Sequence, residues 1–397
     1  KKFKLSVLQA QAILDMPLKR LASLERRKIE QEYKDLLDLV KELQVLLKSE
    51  VKRRQAVAAE LNEVKEKYSD KRKTQIVTLK QGKAASDLLT VKDVTPVENV
   101  WIGLSKEGRI AKMSEKNPPR LGGREAPISI VKTDSHQNIY VVSSSGKCAC
   151  LAVQALPIVE DFEKASEIHR VSAFKEGDVP VAVFCLSHEQ KNSETLCVTT
   201  LTRQGMIKKT LTSELPGPSA ELFVLCKVNE EDELGWVMVN DAQSHYLIAT
   251  GNGMSIRFEG NDVRAMGLVA AGVNALKLAG QDQVVGVVEI KKGLEVLAVS
   301  SDGRGWRMEE EVFPVQGRYG QGVNTCKLKP GSRIVGLTVG KKNTQVALHL
   351  KKGAAKIIRL DEIPAEKRAT SGKALIELKA GDEVLRIVAV MDHLALP

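Results

Sequence analysis

Six short segments of this chain repeat a pattern with chemical content. They read "VWIGLSKEGRIAKM", "IYVVSSSGKCACL", "LCVTTLTRQGMIKKT", "HYLIATGNGMSIRF", "LEVLAVSSDGRGWRM" and "QVALHLKKGAAKII". Each carries a glycine at the centre of an alternating apolar run: Gly108, Gly146, Gly205, Gly253, Gly303 and Gly353. Four positions after the glycine stand Lys112, Lys209, Arg257 and Arg307, with Cys150 and Ile357 in the two remaining copies. Arg109, Lys208, Arg304, Lys356 and Arg359 add charge beside them. In a hairpin the distance from the turn decides which face a side chain takes, so a fixed offset places these cations equivalently in every copy. A ring of such cations would track a curved phosphate backbone without reading bases. The same spacing also arises when Lys and Arg merely form the solvated half of alternating strands.

A second cationic set lies in glycine-rich stretches after the hairpins. "PPRLGGREAP" (118–127) and "QGRYGQGV" (316–323) are the clearest, and "VRAMGLVAAGV" (263–273) and "KRATSGKAL" (367–375) are looser forms. Glycines such as Gly122 and Gly123 let a backbone approach phosphate, while Arg120, Arg124, Arg264, Arg318, Arg368 and Lys373 supply charge. A plain crossover loop that needs positive φ would use the same glycines.

These segments imply their own scaffold. From Val100 onward the texture is β throughout: short Val/Ile-rich runs punctuated by Gly, Asn and Asp. After each hairpin comes a second pair of strands, clearest in "GVNALKLAGQDQVVGVVEI", "GVNTCKLKPGSRIVGLTVG" and "GKALIELKAGDEVLRIVAV". The repeat of roughly 50 residues thus carries four strands. Six such repeats predict a six-bladed, propeller-like β-pinwheel over residues 98–397.

The first part of the chain differs. Residues 7–68 read as helix, with Ile29, Tyr33, Leu36, Val40, Leu43 and Leu47 stepping by four and three in a heptad seam. Leu61, Val64 and Tyr68 continue the stripe, which calls for a partner helix. The expected fold class is therefore mainly β with an α-helical N-terminal segment, and the expected domains are 1–68, a linker over 69–97, and 98–397. The first residue is Lys1, inside a helical pattern, which reads as a piece of a longer protein.

Composition narrows the function classes. The chain has 397 residues, a formal charge of +10 and 43% apolar residues. Residues 1–80 hold 20 Lys/Arg against 12 Asp/Glu, so the β part is nearly neutral and needs local charge placement to bind a polyanion. The six cysteines form no C-x-x-C, and the histidines (His136, His169, His188, His245, His349 and His393) are scattered. This argues against zinc, disulfides and acid–base catalysis, and for a reducing cytosol. No apolar run approaches the roughly 18–20 residues that cross a membrane, no signal peptide is visible, and neither a P-loop nor a dinucleotide loop is present.

The stretch "LSVLQAQAILDMPLKRLASLERRKIEQEYKDLL" (5–37) closely resembles the exit-gate region and returning coiled-coil helix of bacterial type IIA topoisomerase A subunits. "DKRKTQIV" resembles the junction that follows, and the six repeats resemble the DNA-wrapping β-pinwheel of the gyrase A family. The resemblance implies a coiled coil and a dimer gate of Ile13, Leu14, Met16, Leu18 and Leu21, which brings in a second copy of the same polypeptide. It also implies double-stranded DNA as ligand, a partner ATPase B subunit, and ATP and Mg held by other domains or polypeptides. The family's cleaving tyrosine would lie upstream, so the implied enzyme is an ATP-dependent isomerase whose catalytic residues are elsewhere. The family's box reads Gln-Arg-Arg-Gly-Gly-Lys-Gly, whereas this chain has Pro119-Arg120-Leu121-Gly122-Gly123-Arg124-Glu125. Repeat five offers Gln316-Gly317-Arg318-Tyr319-Gly320-Gln321-Gly322. Six repeats favour gyrase over topoisomerase IV. The alternative from another class is a propeller that scaffolds proteins, its Lys and Arg only solubilising it.

Overall fold

The computed structural model of the protein describes residues 5–15, 23–69 and 96–389, and the chain divides into two compact units, Lys1–Val91 and Lys92–Pro397. In the first unit, helix α1 (Val7–Leu14) starts at a capping box: the Ser6 hydroxyl accepts from the Gln9 amide, and the Gln9 side chain accepts from Ser6 N–H. Helices α2 (Ser23–Lys48) and α3 (Glu50–Tyr68) follow. The expected unbroken helix over 7–68 is thus interrupted at Ser49, which takes extended backbone angles and caps α3 by accepting from Lys52 N–H. A serine whose hydroxyl caps the next turn competes with the helix it would otherwise continue. The heptad stripe is uncovered within the chain: Leu36 is 60% and Leu43 47% exposed. Ile13 and Leu14 are exposed on α1, while Met16, Leu18 and Leu21 lie outside the described residues.

The second unit is a ring of six sheets. Each blade has three antiparallel strands of its own. In blade five they are Glu295–Ser300, Arg304–Glu309 and Ile334–Gly340; in blade four, His245–Thr250, Met254–Glu259 and Val284–Ile290. The third strand of each blade is innermost. There the blades touch closely: a Cβ on Gly286 would meet Leu337, and one on Gly336 would meet Ile387.

The turn glycines behave as a set in five copies. Gly303 N–H closes onto the Ser300 carbonyl at 3.0 Å with φ of 77°, a left-handed conformation that favours glycine. Gly108, Gly146, Gly205 and Gly253 repeat this. In each of the five, a Ser or Thr precedes the glycine by three residues, and blade six has Leu350 there. Its turn at Gly353 accordingly lacks the positive φ.

Repeats two to six each carry the expected four strands, but these do not all stay in one blade. The fourth strand of a blade is two residues long and comes from the following repeat. Val323–Asn324 pairs with Met254 and Ser255 of blade four, and Lys373–Ala374 pairs with Arg304 and Gly305 of blade five. Ser166–Glu167, Phe223–Val224 and Val273–Asn274 serve blades one, two and three in the same way. Sequence periodicity locates such a strand but is silent on which blade receives it. Blade six receives its edge from the other end of the ring: Gly123 N–H donates to the Ala355 carbonyl (3.1 Å) and Ala355 N–H donates to the Gly123 carbonyl (2.8 Å). Leu121, Ile130, Ala347 and Val388 bury apolar surface behind this seam, and the ring closes.

Cores lie between successive blades. Leu247, Val288, Val296, Trp306 and Met308 form one of them, joining blades four and five. Trp306 is 1% exposed, and its indole N–H donates to the Thr370 carbonyl (2.9 Å) in the next repeat.

Candidate nucleic-acid interface

The post-turn cations are clips between blades. Lys209, 2% exposed, donates through Nζ to the carbonyls of Ala242 (2.6 Å) and Gly260 (2.7 Å). Arg257 donates to Glu310 (3.0 Å) and Phe313 (3.2 Å), and Arg307 to Leu360 (3.3 Å) while facing Glu295 at 3.8 Å. Lys112 donates to Val153 (3.2 Å) and Gln154 (3.4 Å). Apart from Ala242 and Glu295, the acceptors lie at the short 3-10 turn that follows the second strand of a hairpin. The backbone of the same residue is an anchor as well: the amides of Val159, Met266, Gln316 and Glu366 donate to the carbonyls of Lys112, Lys209, Arg257 and Arg307.

The expected outward ring at these four positions is therefore replaced by an inward one. Burial holds the Lys112 and Lys209 amines below the usual lysine pKa, with nearby anionic groups opposing it. Cys150 and Ile357 fall where the alignment put them, and the blade-two link is made by Tyr140, whose hydroxyl donates to Pro216 (3.0 Å).

Other predicted residues also turn inward. Lys208 is fully buried and donates to Leu225 and Leu268, both at 2.6 Å, and burial lowers its pKa. Arg304 donates to Ser371 (2.8 Å) and Gly372 (2.9 Å), and Arg109 to Glu163 (3.5 Å). Arg318 donates to Asp262 (3.1 Å) and to Asn274, and Arg368 to Asn324 (3.4 Å). Arg318 and Arg368 thus pin the donated strands of the preceding repeat. Arg359 pairs with Glu362 (3.1 Å) and Asp361 (3.4 Å), and Lys373 lies 4.0 Å from Glu366. Arg120, Arg124, Arg264 and Lys356 are exposed, and their side chains have no hydrogen-bond or ion-pair partner among the described residues. Two of these, Arg120 and Arg124, flank the seam glycines; Gly122 packs so that an added Cβ would touch Ile357, and Gly123 has φ of 105°.

The donated strands make the rim, and they carry a cation set that the turn-based reading did not find. The third residue after the strand is Arg170, Lys227, Lys277 and Lys327 in four consecutive cases, and Glu377 in the fifth. All five are exposed. Their backbones are fixed from the next repeat where the pattern is strongest: Lys227, Lys277 and Lys327 amides donate to Ala270 (3.3 Å), Gly320 (2.9 Å) and Thr370 (2.9 Å). The Lys277 amine lies 5.1 Å from the centre of the Tyr319 ring, a half-exposed aromatic in left-handed conformation. Arg170 pairs with Glu167 at 3.2 Å. The sequence signal was present in "GVNALKL" and "GVNTCKL", at one offset beyond the donated pair.

A ring of blades exchanging edge strands, with cations at one register of its rim, defines a β-pinwheel. The DNA gyrase C-terminal domain β-propeller family model matches residues 198–220, 244–291, 294–341 and 351–391, and the chain belongs to that family. The DNA gyrase A subunit of Staphylococcus epidermidis is 32% identical over 321 residues, which are 77% of this chain and 35% of that protein. Its Clostridium acetobutylicum counterpart is 31% identical over 285 residues, 68% of this chain and 33% of its own length. The chain thus spans about a third of the curated relatives it matches. Among solved structures, a DNA topoisomerase IV C-terminal domain aligns with a TM-score of 0.66 at 17% identity, covering 75% of this chain and 94% of that one. A DNA gyrase A C-terminal domain aligns at 0.61 and 16%, covering 74% and 100%. Both likenesses bear on the fold.

Proposed function

We propose that the pinwheel binds duplex DNA along its rim and bends it, presenting the duplex to a type IIA topoisomerase of which this chain forms part of the gyrase A polypeptide. The observation that carries the reading is the shared register of Arg170, Lys227, Lys277 and Lys327, each three residues beyond a donated strand. Successive blades then offer an exposed cation at a repeating interval, while backbone bonds hold the carrier segment rigid. Phosphates need only charge at the right spacing, so the site binds without reading sequence. Arg120 and Arg124 extend the track across the seam between blades six and one. The uncovered stripe of α2 and α3 would seat against a second copy of this polypeptide, and an ATPase partner would supply ATP and Mg chemistry in the cytoplasm. Among the described residues no helix is long and apolar enough to cross a membrane.

The test is a linking-number assay. The full chain is incubated with relaxed circular plasmid and a nicking-closing topoisomerase, and the product distribution is read after protein removal. A shift of fixed sign that grows with protein supports chiral wrapping of the gyrase kind. Salt-sensitive binding without a shift supports DNA guidance of the topoisomerase IV kind. Absence of binding at low salt overturns the reading and leaves a protein scaffold.

A further inference from the structure

The innermost strands and the turns at one end of them line a cavity of about 520 Å³ that opens to solvent. Ile128, Val181, Gly235, Val285, Val335 and Leu385, one from each blade or its lead-in, line it. Three guanidinium groups share this space: Arg203, Arg333 and Arg386. Arg203 is compensated, because its Nε lies 3.2 Å from Glu233 and its guanidinium sits 5.8 Å from the Trp236 ring centre. Arg386 has no side-chain hydrogen bond and no ion pair among the described residues, while the exposed Arg333 makes no close ion pair but helps to hold the Glu383 carboxyl below its usual pKa. The one carboxylate lining the cavity, Asp282, accepts through Oδ1 from the amides of Asn252 (3.0 Å) and Gln283 (2.9 Å), which fix it in its turn and leave it one negative charge against three guanidinium groups.

Arg386 departs from its repeat. Strand register aligns it with Ala182, Trp236, Gly286 and Gly336 in blades two to five. A ring of this fold is completed elsewhere by small or apolar side chains, so blade six does not need an arginine there for packing. Burial depresses the Arg386 pKa, and Arg203 adds like-charge repulsion. Arg386 is half-buried and Arg333 exposed, so the relevant strain is the crowding of Arg386 by a second guanidinium, which an anion between them relieves.

We propose that this cavity is a binding site for a compact, multiply charged phosphate anion, held by Arg333 and Arg386 with Arg203 at its edge. The cavity volume falls in the range of small-ligand sites, about 300–1,000 Å³. Arginine forks match phosphate oxygens pairwise, which favours phosphate over a single carboxylate. Free pyrophosphate and the phosphate chain of a nucleotide share this chemistry, and Trp236 beside Arg203 gives a nucleotide base a surface that pyrophosphate would not use. The site is independent of the rim and of DNA binding.

Titration calorimetry on the full chain at fixed ionic strength, with sodium pyrophosphate, ATP and sodium acetate in separate arms, tests this. Saturable binding of pyrophosphate or ATP, absent for acetate, is expected. Equal affinities identify the phosphate chain alone as the ligand, and tighter ATP binding identifies the nucleotide; either supports the site. Arg386→Met and Arg333→Gln should each weaken binding about tenfold or more. Arg386→Met should also raise the thermal midpoint without ligand, which separates loss of charge from misfolding. The triple variant Lys227→Ala, Lys277→Ala, Lys327→Ala should bind as the unaltered chain does. No heat with either phosphate ligand, binding that survives both arginine variants, or binding lost in the rim triple would each overturn the proposal.

Discussion

Arg257 Nη1 donates to the carbonyl of Glu310 at 3.0 Å, and the two residues sit in successive blades. A second bond from the same nitrogen reaches Phe313 at 3.2 Å, so one guanidinium clamps both ends of the neighbour's 3-10 turn. Lys112, Lys209 and Arg307 bind such turns in the same manner. What the spacing advertised as a phosphate track is the hardware that sets one blade against the next. A cation serves well here because it donates several hydrogen bonds from one flexible stem to carbonyls that a turn leaves unsatisfied.

Arg257→Leu should therefore act on stability. Two carbonyls lose a charged donor, at a cost of about 2–3 kcal/mol. Urea unfolding of the full chain should show the midpoint falling, with the salt dependence of DNA affinity unchanged under native conditions. A variant of unaltered stability that lost a phosphate contact from the salt slope would restore the original track.

The rim lysines should behave in the opposite way. Lys227, Lys277 and Lys327 are exposed, so their replacement by alanine leaves stability within about 0.5 kcal/mol. Each removes one phosphate neutralisation, and the slope of log affinity against log salt should flatten by about 0.9 per residue. Glu377→Lys should steepen it by a similar amount, since that residue occupies the same register beyond the fifth donated strand. Fluorescence anisotropy on a labelled duplex across a salt series reads both. A slope that ignores all four changes would move the DNA path off the rim.

The fold was more legible than the interface, and the reason is physical. Turn glycines, alternation and a repeated interval are local properties, so six blades could be counted from the chain alone. The receiving partner of a donated strand is not local: Val323–Asn324 has the same sequence whether it pairs with blade four or blade five. Once the strands exchange, the residue four beyond the turn faces the neighbour, and Lys209 changes from candidate ligand to buried clip. The same exchange carries Lys277 to the rim, where its offset from "VN" becomes meaningful. Loop arginines illustrate the limit too, because Arg318 is in the predicted loop yet spends donors on the carbonyls of Asp262 and Asn274.

The seam between blades six and one makes a further prediction. Its edge pairing rests on Gly123 and Ala355, and Gly123 has φ of 105°. Gly123→Val forces a side chain into a conformation that costs about 1–3 kcal/mol, and the paired amides should open. Hydrogen exchange should rise in strand Lys356–Arg359 while strands of blades three and four keep their protection. Arg120→Ala with Arg124→Ala should leave exchange unchanged and reduce only the linking-number shift. Loss of protection spread evenly around the ring would show that the seam is no weaker than the other joints.

Acid should loosen blade six through His349. Burial, followed by repulsion from Arg386 and Lys106, pushes its pKa down to about 4, with the Pro127 carbonyl and Glu107 opposing. Its Nε2 is buried without a partner, which fits a neutral ring. The folded pKa lies below the unfolded value of 6.5, so the unfolded chain takes up the proton first as pH falls. Stability from this group is complete above pH 6.5 and is lost between 6.5 and about 4. The full shift discounted for partial exposure amounts to about 2 kcal/mol. Asp382 and Glu383, whose carboxyl pKa values are lowered by hydrogen bonds from the Lys352 amide and the Lys351 amine, lose their contribution as pH falls below their unfolded values of 3.8 and 4.5, so only Glu383 reaches the acid end of this window. Urea midpoints measured from pH 7.5 to 4.5 should fall with a slope that His349→Gln flattens. Exchange in strands Gln345–Leu350 and Val384–Ala389 should rise first, because Arg386 stands opposite His349 in the ladder. An unchanged slope in the variant would assign the acid sensitivity to other groups.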